Sequence, residues 1–332
     1  MPQPLAPVLH ALRVHPVKSV GGFTADSAVV EPWGLAGDRR WTLIDESGTA
    51  LTQRESPRLA LARAEPLRDG GLVLYAPGRA PLEVARPGTG GTRADGTRTG
   101  GAGTGTPGES GPRTGEARPA DPRTAVPGAG VGISLAEAGP PADAHDVVVN
   151  IFGTKVDASL ADARASDWFS RHLGVEVRLA HLGDPATARP VDPAYARPGD
   201  TVTFADSHPL LVVTVSSFDA LNSLIAQGDH ADEGPLPMDR FRPNLVVAGT
   251  APWAEDEWRR ITVGEVTFRV AKPCGRCVVT TTDQRTAARG KEPLRTLARH
   301  RRIDGKLVFG QKLVPENTGT VRVGDVVRVF TD

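Results

Sequence analysis

Cysteine is scarce in this chain, which has two cysteines among 332 residues. That number excludes a disulfide-rich scaffold and fits a reducing compartment. Basic residues are not in excess, because 39 Lys and Arg balance 39 Asp and Glu, whereas a protein that coats nucleic acid has a basic surplus. No apolar run approaches the roughly 20 residues of a membrane-spanning helix. The N-terminal stretch MPQPLAPVLHALRVHPVKS also lacks the shape of a signal peptide. The sequence therefore predicts a soluble cytoplasmic protein.

Most of the chain shows the period-two alternation of β-strands. Between residues 8 and 85, short alternating runs such as RWTLIDESGTALT are separated by Gly, Pro and Asp, which is typical of an antiparallel, barrel-like sheet. Similar runs return toward the C-terminus. Spacings of three and four predict helices over residues 160–174, 216–227 and 291–302. Ser216 or Ser217 is the predicted N-cap of the second helix. The pattern predicts an α+β, β-dominated fold without the regular strand–helix alternation of a doubly wound sheet.

A low-complexity segment over residues 87–144 interrupts this pattern. It is rich in Gly, Thr, Pro and Arg and has no aromatic residue. Such a segment buries too little to offset the entropy of ordering its backbone, so it is predicted to be a disordered insertion. Gly103, Gly105 and Gly108 match the dinucleotide fingerprint G-x-G-x-x-G. Neither the strand nor the helix that the fingerprint needs is predicted beside it, so we interpret the match as chance.

Both cysteines lie in AKPCGRC, residues 271–277. A zinc site needs at least three protein ligands, and His300, the next histidine, has no partner at ligand spacing. A redox pair of the thioredoxin type precedes a helix, but the following VVTTTD is β-branched and predicts a strand. Two buried apolar side chains are the structural alternative. The neighbouring Lys272 and Arg276 instead favour a thiolate, suited to be the one protein ligand of a metal carried by a cofactor.

Several longer motifs resemble those of one protein family. The segments KPCGRCVVTTTD, GKEPLRTL, FGQKLV and NTGTVRVGD resemble the C-terminal part of MOSC domains. The segments VHPVKSVGG, GLAGDRRWTLID and LTQRESPRLA resemble the N-terminal β-barrel domain that accompanies them. ARPVDPAYARPGDTVTFADSHPLLVVT and FRPNLVVAG fill the middle in the same order. The resemblance covers nearly everything outside the insertion, and it is strongest to bacterial MOSC proteins related to the mitochondrial amidoxime reducing component.

The resemblance implies two β-barrel domains with a few helices. The N-terminal MOSC β-barrel-like domain would occupy two segments on either side of the insertion, and the C-terminal MOSC domain would follow. The implied boundaries are 1–86 and 145–185 for the N-terminal domain, 87–144 for the insertion and 186–332 for the MOSC domain.

The resemblance also implies a cofactor and a reaction. The family binds the molybdenum cofactor (Mo-molybdopterin), whose metal takes one protein cysteine. That metal ligand and catalytic residue falls on Cys277, with Cys274 as a neighbour and Arg276 as the cation that favours the Cys277 thiolate. The implied activity is an oxidoreductase that reduces N-hydroxylated compounds with electrons from a separate ferredoxin or flavoprotein reductase. The alternative is a molybdenum-cofactor or sulfur carrier without turnover. No nucleic-acid or membrane partner is expected.

The family pattern further implies a set of cofactor-binding positions. They are Lys18, Ser19, Arg39, Ser207, Arg242, Asn244, Gly275, Arg276 and Cys277. Arg40 is the alternative to Arg39, because strand alternation points adjacent side chains to opposite faces. Asp283 and Asn317 lie inside family motifs, but turn-forming Asp and Asn are common without function. His15 and His208 are expected to be hydrogen-bonded structural histidines.

Overall fold

A computed structural model describes residues 6–88 and 146–332. The predicted insertion, with its G-x-G-x-x-G match, lies outside the described residues except for its first two positions. Among the described residues, no helix has the length and apolar character needed to span a bilayer.

β-strands dominate the described chain, and three α-helices accompany them. The strands are β1 (Val8–Val14), β2 (Phe23–Ala25), β3 (Ser27–Glu31), β4 (Gly34–Leu35), β5 (Trp41–Ile44), β6 (Arg63–Pro66), β7 (Leu72–Tyr75), β8 (Leu82–Val84), β9 (Asp146–Ile151), β10 (Thr154–Leu160), β11 (Arg178–His181), β12 (Arg189–Pro190), β13 (Thr201–Val202), β14 (Leu210–Thr214), β15 (Leu245–Ala248), β16 (Arg260–Val263), β17 (Val266–Gly275), β18 (Arg302–Ile303), β19 (Lys306–Pro315), β20 (Gly319–Arg322) and β21 (Val327–Phe330). The helices are α1 (Ala163–Leu173), α2 (Val215–Ala226) and α3 (Leu294–His300). The predicted β-dominated fold with a few helices is confirmed.

Capping residues set the helix ends. In α1, the Asp162 side chain accepts a hydrogen bond from the Arg164 N–H at 2.7 Å, and Gly174 ends the helix at a φ of 76°, as predicted. The prediction of a serine N-cap for α2 is wrong. The helix begins one residue earlier than the serines, so Thr214 caps it by accepting from the Ser217 N–H at 3.2 Å.

The largest sheet joins strands from both ends of the chain. Its order is β2-β1-β15-β14-β19-β17-β16-β21, with β18 paired to β19. Among these described strands, β14 and β15 run parallel and the other pairs are antiparallel. The Leu9 N–H donates to the Asp325 carbonyl at 2.8 Å, and the Val327 N–H donates to the Pro7 carbonyl at 2.7 Å. These bonds bring β21 back to β1, so the sheet closes around an apolar core that includes Phe268.

A second sheet has the order β5-β11-β10-β9, and its strands β5 and β11 are buried on both faces. On one face, Trp41 and Leu43 pack with Phe169 of α1, and β6, β7 and β8 close the same core. On the other face, Ile44 packs with Phe204. The loop after β1, the segment before β5, the loop before β14 and the end of β17 adjoin these two sheets and supply side chains of one cavity.

Candidate functional site

One cavity of about 180 Å³ is lined by all the side chains that the family pattern singles out. They are Lys18, Ser19, Arg39, Ser207, Arg242, Asn244, Gly275, Arg276 and Cys277. We refer to it as the basic cavity, because its charged lining residues are Lys18, Arg39, Arg54, Arg240, Arg242, Arg276, Lys312 and Asp206. The chain thus brings together positions that are far apart in sequence. Their binding of a cofactor stays a prediction.

Lys18 is buried, with 3% of its surface exposed, and is not a solvated surface lysine. Its Nζ donates to the Phe204 carbonyl at 3.0 Å and to the Asp206 carboxylate at 2.5 Å. Burial lowers the pKa of Lys18, and Asp206 opposes this effect in part. The adjacent Ser19 carbonyl accepts a hydrogen bond from the Gln53 amide at 2.7 Å, which fixes the loop after β1.

Arg39 lines the basic cavity, whereas Arg40 points away and donates to the Leu182 carbonyl at 2.8 Å. The Arg39 guanidinium donates to Asp38 at 2.5 Å and to the Asn244 side-chain oxygen at 3.1 Å. The choice of Arg39 over Arg40 therefore fits the structure, but the reason differs from strand alternation. Arg39 precedes β5 and has a left-handed φ of 47°.

Arg242 has a buried guanidinium nitrogen without a hydrogen-bond partner at the site. Its Nη2 is buried without a hydrogen-bond partner, and the side chain forms no salt bridge within the described residues. Burial, and then the nearby Arg39 charge, lower the pKa of Arg242 to about 9. A buried guanidinium N–H without an acceptor is costly, so this group favours an anionic ligand.

Backbone strain concentrates around the basic cavity. Ser19, Arg39 and Arg242 have φ values of 65°, 47° and 53°. They are three of the seven described residues other than glycine with positive φ. Such conformations cost roughly 1–3 kcal/mol each and persist where the surrounding structure holds them, often at functional sites. The three positions predicted from the family motifs thus share an unusual backbone as well as a cavity.

The two cysteines have different surroundings. Cys274 lies near the end of β17 and is 7% exposed, while Cys277 is half-buried. The Arg276 Nη1 donates to the Cys274 sulfur at 3.0 Å. The expectation was that Arg276 acts on Cys277, whereas in the structure its guanidinium contacts the Cys274 sulfur. Both cysteines line the basic cavity.

The prediction of a strand after Cys277 is also wrong. A 3₁₀ helix over Val278–Thr281 follows the cysteine directly. The Thr280 hydroxyl donates to the Cys277 carbonyl and the Thr281 hydroxyl to the Val278 carbonyl, both at 2.9 Å. These local side-chain bonds satisfy the backbone without a sheet partner, which overrides the β-branched preference for strands.

Sequence reasoning missed Arg54, a cation of the basic cavity whose pKa is influenced by the nearby Cys277. Arg54 also donates to Asp206 at 3.1 Å. Burial lowers the pKa of Arg54, but the charges of Asp206 and Cys277 outweigh burial and raise it overall. A guanidinium against a cysteine sulfur stabilises the thiolate, which is the form that binds metals. Arg54 lies in the quoted motif LTQRESPRLA, so its place in that motif was the available signal.

Lys312, Asp206 and Arg240 were missed as well. The Lys312 ammonium donates to the Ser207 hydroxyl, which in turn lies 3.0 Å from Nδ1 of His208. Burial, followed by the neighbouring lysines, lowers the pKa of His208 to about 3, so this ring is neutral at pH 7. Arg240 forms a 3.0 Å salt bridge with Asp283. Each of these groups fixes a cavity side chain or adds charge to the cavity.

The remaining polar candidates have structural roles. Asp283 accepts from the Thr286 N–H at 2.9 Å and does not line the basic cavity. Asn317 accepts from the Thr267 N–H at 2.7 Å and fixes a turn outside the basic cavity. His15 is 4% exposed, and its Nε2 lies 3.4 Å from the Pro243 carbonyl. These contacts fit the structural interpretation given above for turn residues and buried histidines.

The lining chemistry fits a group that is anionic and brings its own metal ligands. Seven cationic side chains surround the basic cavity with one carboxylate among them. Within residues 6–88 and 146–332, no group of three or more His, Cys, Asp or Glu side chains could hold a metal ion. An anionic group such as a phosphate would meet the N–H donors of the cavity.

Two family models match this chain. One, described as the MOSC N-terminal beta barrel domain, matches residues 6–104, and the other, described as the MOSC domain, matches residues 199–328. The basic cavity takes Lys18, Arg39 and Arg54 from the first match and Arg242 and Cys277 from the second.

Relatives with two different names match nearly the whole chain. Mitochondrial amidoxime-reducing component 1 of Mus musculus is 28% identical over 95% of this chain and 80% of its own length. Molybdenum cofactor sulfurase of Anopheles gambiae is 31% identical over 92% of this chain and 34% of its own length. The sulfurase of Oryza sativa subsp. japonica is 28% identical over 91% of this chain and 32% of its own length. The chain thus spans about a third of the sulfurases.

Proposed function

We propose that this chain, which belongs to the MOSC domain proteins, binds a molybdenum cofactor in its basic cavity. We further propose that the protein with bound cofactor reduces N-hydroxylated compounds. The observation that carries the proposal is the meeting of the Cys277 sulfur with seven cationic side chains in one cavity. The reductase activity draws support from the match to relatives named for amidoxime reduction, of which the chain spans about 80%.

In this proposal, the chain holds the cofactor at two ends. The Cys277 sulfur would be the protein ligand of the metal, and the Arg54 guanidinium lies near it. The phosphate would take the orphaned Nη2 of Arg242 together with Lys18 and Arg39. Charge-assisted hydrogen bonds from Arg and Lys to phosphate are among the strong ones in proteins.

When bound, the cofactor would supply the redox chemistry for the two-electron reduction of an N–OH group to N–H and water. The protein's residues contribute positioning and charge. Asp206 binds both Lys18 and Arg54, and the contacts of Arg39 with Asp38 and Asn244 fix the Arg39 guanidinium in the lining. Electrons would come from a separate protein, a ferredoxin or a flavoprotein reductase.

Molybdenum content tests the proposal directly. The full chain is expressed in a host that makes the cofactor, and the metal is measured by inductively coupled plasma mass spectrometry. We expect near-stoichiometric molybdenum in the wild type, its loss in Cys277→Ala, and its retention in Cys274→Ala, because Cys274 is buried beside Arg276. Zinc, no metal in the wild type, or equal loss in both variants would contradict the proposed ligand.

A carrier that binds the cofactor without turnover is the second candidate, and the match to molybdenum cofactor sulfurases favours it. The two functions share the thiolate and the basic cavity, so metal content does not separate them. A turnover assay does so, with chemically reduced methyl viologen as electron donor and N-hydroxybenzamidine as substrate. Stoichiometric molybdenum with formation of benzamidine supports the reductase. The same molybdenum content without product supports the carrier.

A further inference from the structure

Phe152 is unusually exposed for a large aromatic residue. Its side chain is 58% exposed, the highest value among the exposed large hydrophobic residues of the described chain. It lies at the tip of the hairpin between β9 and β10, where Ile151 pairs with Thr154. An exposed apolar ring at a hairpin tip contributes little to folding, so its position needs another explanation.

The backbone at this tip is unfavourable for phenylalanine. Phe152 and Gly153 form a two-residue turn with φ values of 50° and 88°. Positive φ at both central positions defines the type I′ turn, in which Asn-Gly is strongly preferred. A bulky residue with positive φ is an outlier. The chain thus holds an aromatic ring where both exposure and backbone geometry favour a small polar residue.

The ring lies against two cations of the basic cavity. Its centroid is 5.0 Å from the Lys18 Nζ and 5.2 Å from the Arg54 Cζ. Asp206 binds both cations, one on each carboxylate oxygen. The shared carboxylate holds the two cations close to each other beside the ring, and 58% of the Phe152 surface stays exposed.

A largely apolar groove of about 230 Å³ lies beside this ring. Leu51, Ile151 and Phe152 line it together with polar residues that include Asp45 and Glu55, and we refer to it as the Phe152 groove. Lys18 lines both the Phe152 groove and the basic cavity, so the two spaces adjoin. Asn150 accepts from the Gly153 N–H at 2.9 Å, which fixes the hairpin tip over the groove.

We propose that Phe152 and the Phe152 groove form the binding subsite for a flat aromatic or heteroaromatic ring of the substrate. The ring stacks on the exposed side of Phe152, and its polar substituent points past Lys18 into the basic cavity. Stacked or edge-to-face aromatic pairs contribute beyond their buried area, whereas an aliphatic chain gains less at the same place. The conversion of the substituent rests on the proposed function, but the binding preference does not.

The test is Phe152→Asn in the full chain. Asparagine removes the ring but tolerates positive φ, so the variant should have a Tm equal to or above that of the wild type. Binding is measured by isothermal titration calorimetry without an electron donor, with N-hydroxybenzamidine and its aliphatic counterpart N-hydroxyacetamidine as probes. We expect the variant to bind the aromatic probe about threefold to tenfold more weakly and the aliphatic probe unchanged.

Two controls accompany this variant. Phe152→Tyr keeps the ring and should retain the aromatic preference. Phe330→Ala removes another exposed ring, on β21, and should leave both affinities unchanged. Equal affinities of wild type and Phe152→Asn for the aromatic probe would overturn the subsite.

The outcomes also separate this inference from the proposed function. If the wild type prefers the aromatic probe and Phe152→Asn loses that preference, the subsite stands even when no probe is reduced. If both probes are reduced and the Phe152→Asn variant keeps the wild-type ratio of aromatic to aliphatic affinity, the subsite is wrong and the reductase stands.

Discussion

Asp206 has the one carboxylate among the described residues that line the basic cavity, so its removal tests how the cavity balances its charge. Its two oxygens accept from Lys18 at 2.5 Å and from Arg54 at 3.1 Å. Burial raises the pKa of Asp206, but the two cations outweigh burial and hold the pKa well below its usual range. Asp206→Asn keeps the shape of the side chain and removes the charge.

The expected loss of stability follows from the exposure of the two partners. Lys18 is 3% exposed, and breaking a fully buried ion pair costs about 3–5 kcal/mol. The Asp206 side chain is 52% exposed, and pairs in water contribute about 0–1 kcal/mol. In the Asp206→Asn variant, the amide oxygen of the new side chain and the Phe204 carbonyl can still accept hydrogen bonds from Lys18. We therefore expect the free energy of unfolding to fall by about 1–2 kcal/mol.

The assay is urea unfolding of the cofactor-free protein with and without inorganic phosphate. Without Asp206, phosphate becomes the counter-ion of Lys18 and Arg54, so it should stabilise the variant more than the wild type. At 100 times its Kd, a ligand adds about 2.7 kcal/mol to the free energy of unfolding, enough to offset the loss. Asp167→Asn, on an exposed carboxylate 3.9 Å from Arg171, is the matched control and should change stability little. Unchanged stability, or an equal phosphate response in wild type and variant, would refute the reasoning.

Two further predictions concern protonation. Burial, and then Arg40, lower the pKa of His181 to about 3. Below pH 6.5 the histidine of the unfolded chain binds a proton, whereas the ring in the folded protein stays neutral. The free energy of unfolding should therefore fall by up to about 1.4 kcal/mol per pH unit as the pH drops below about 6. Urea unfolding at pH 7, 6 and 5 should show a smaller decline in His181→Gln, and an unchanged decline would contradict the assignment. In cofactor-free protein, Arg54→Met should slow alkylation of Cys277 by iodoacetamide several-fold, measured by mass spectrometry. Arg276→Met should leave that rate unchanged, because its guanidinium contacts the other sulfur.

The sequence motifs predicted the residues of the basic cavity better than the contacts among them. Ser19, Arg39 and Arg242 could be chosen because they lie in short motifs that keep their order along the chain. The sequence motifs did not predict that Asp206 pairs with two cations of the basic cavity. Its partners Lys18 and Arg54 are 188 and 152 positions away, and sequence spacing carries no information about such contacts.

The same limit applies to the fold. Period-two alternation predicted strands such as β1 and β15, because alternation reports which face of a strand is buried. It did not predict that β1 pairs with β15, with Leu12 opposite Leu245, because partner choice depends on the closed core that both ends of the chain share. The 3₁₀ helix after Cys277 was missed for the opposite reason. There, the hydroxyls of Thr280 and Thr281 bond to nearby backbone carbonyls and favour the 3₁₀ helix. This local effect outweighs the preference of β-branched residues for strands.

The ion pairs of Asp206 also bear on how the basic cavity accepts a ligand. An anion that enters competes with Asp206 for Lys18 and Arg54, while the buried Nη2 of Arg242 gains an acceptor that the described protein does not supply. Binding therefore exchanges the existing ion pairs of Asp206 and also satisfies the unmet donor of Arg242. Because an exchanged pair contributes little net free energy and a newly satisfied buried donor contributes more, Arg242 should decide anion affinity more than Lys18 does. Asp206 then acts on the stability of the empty protein and, as the competitor of the anion for Lys18 and Arg54, weakens anion binding.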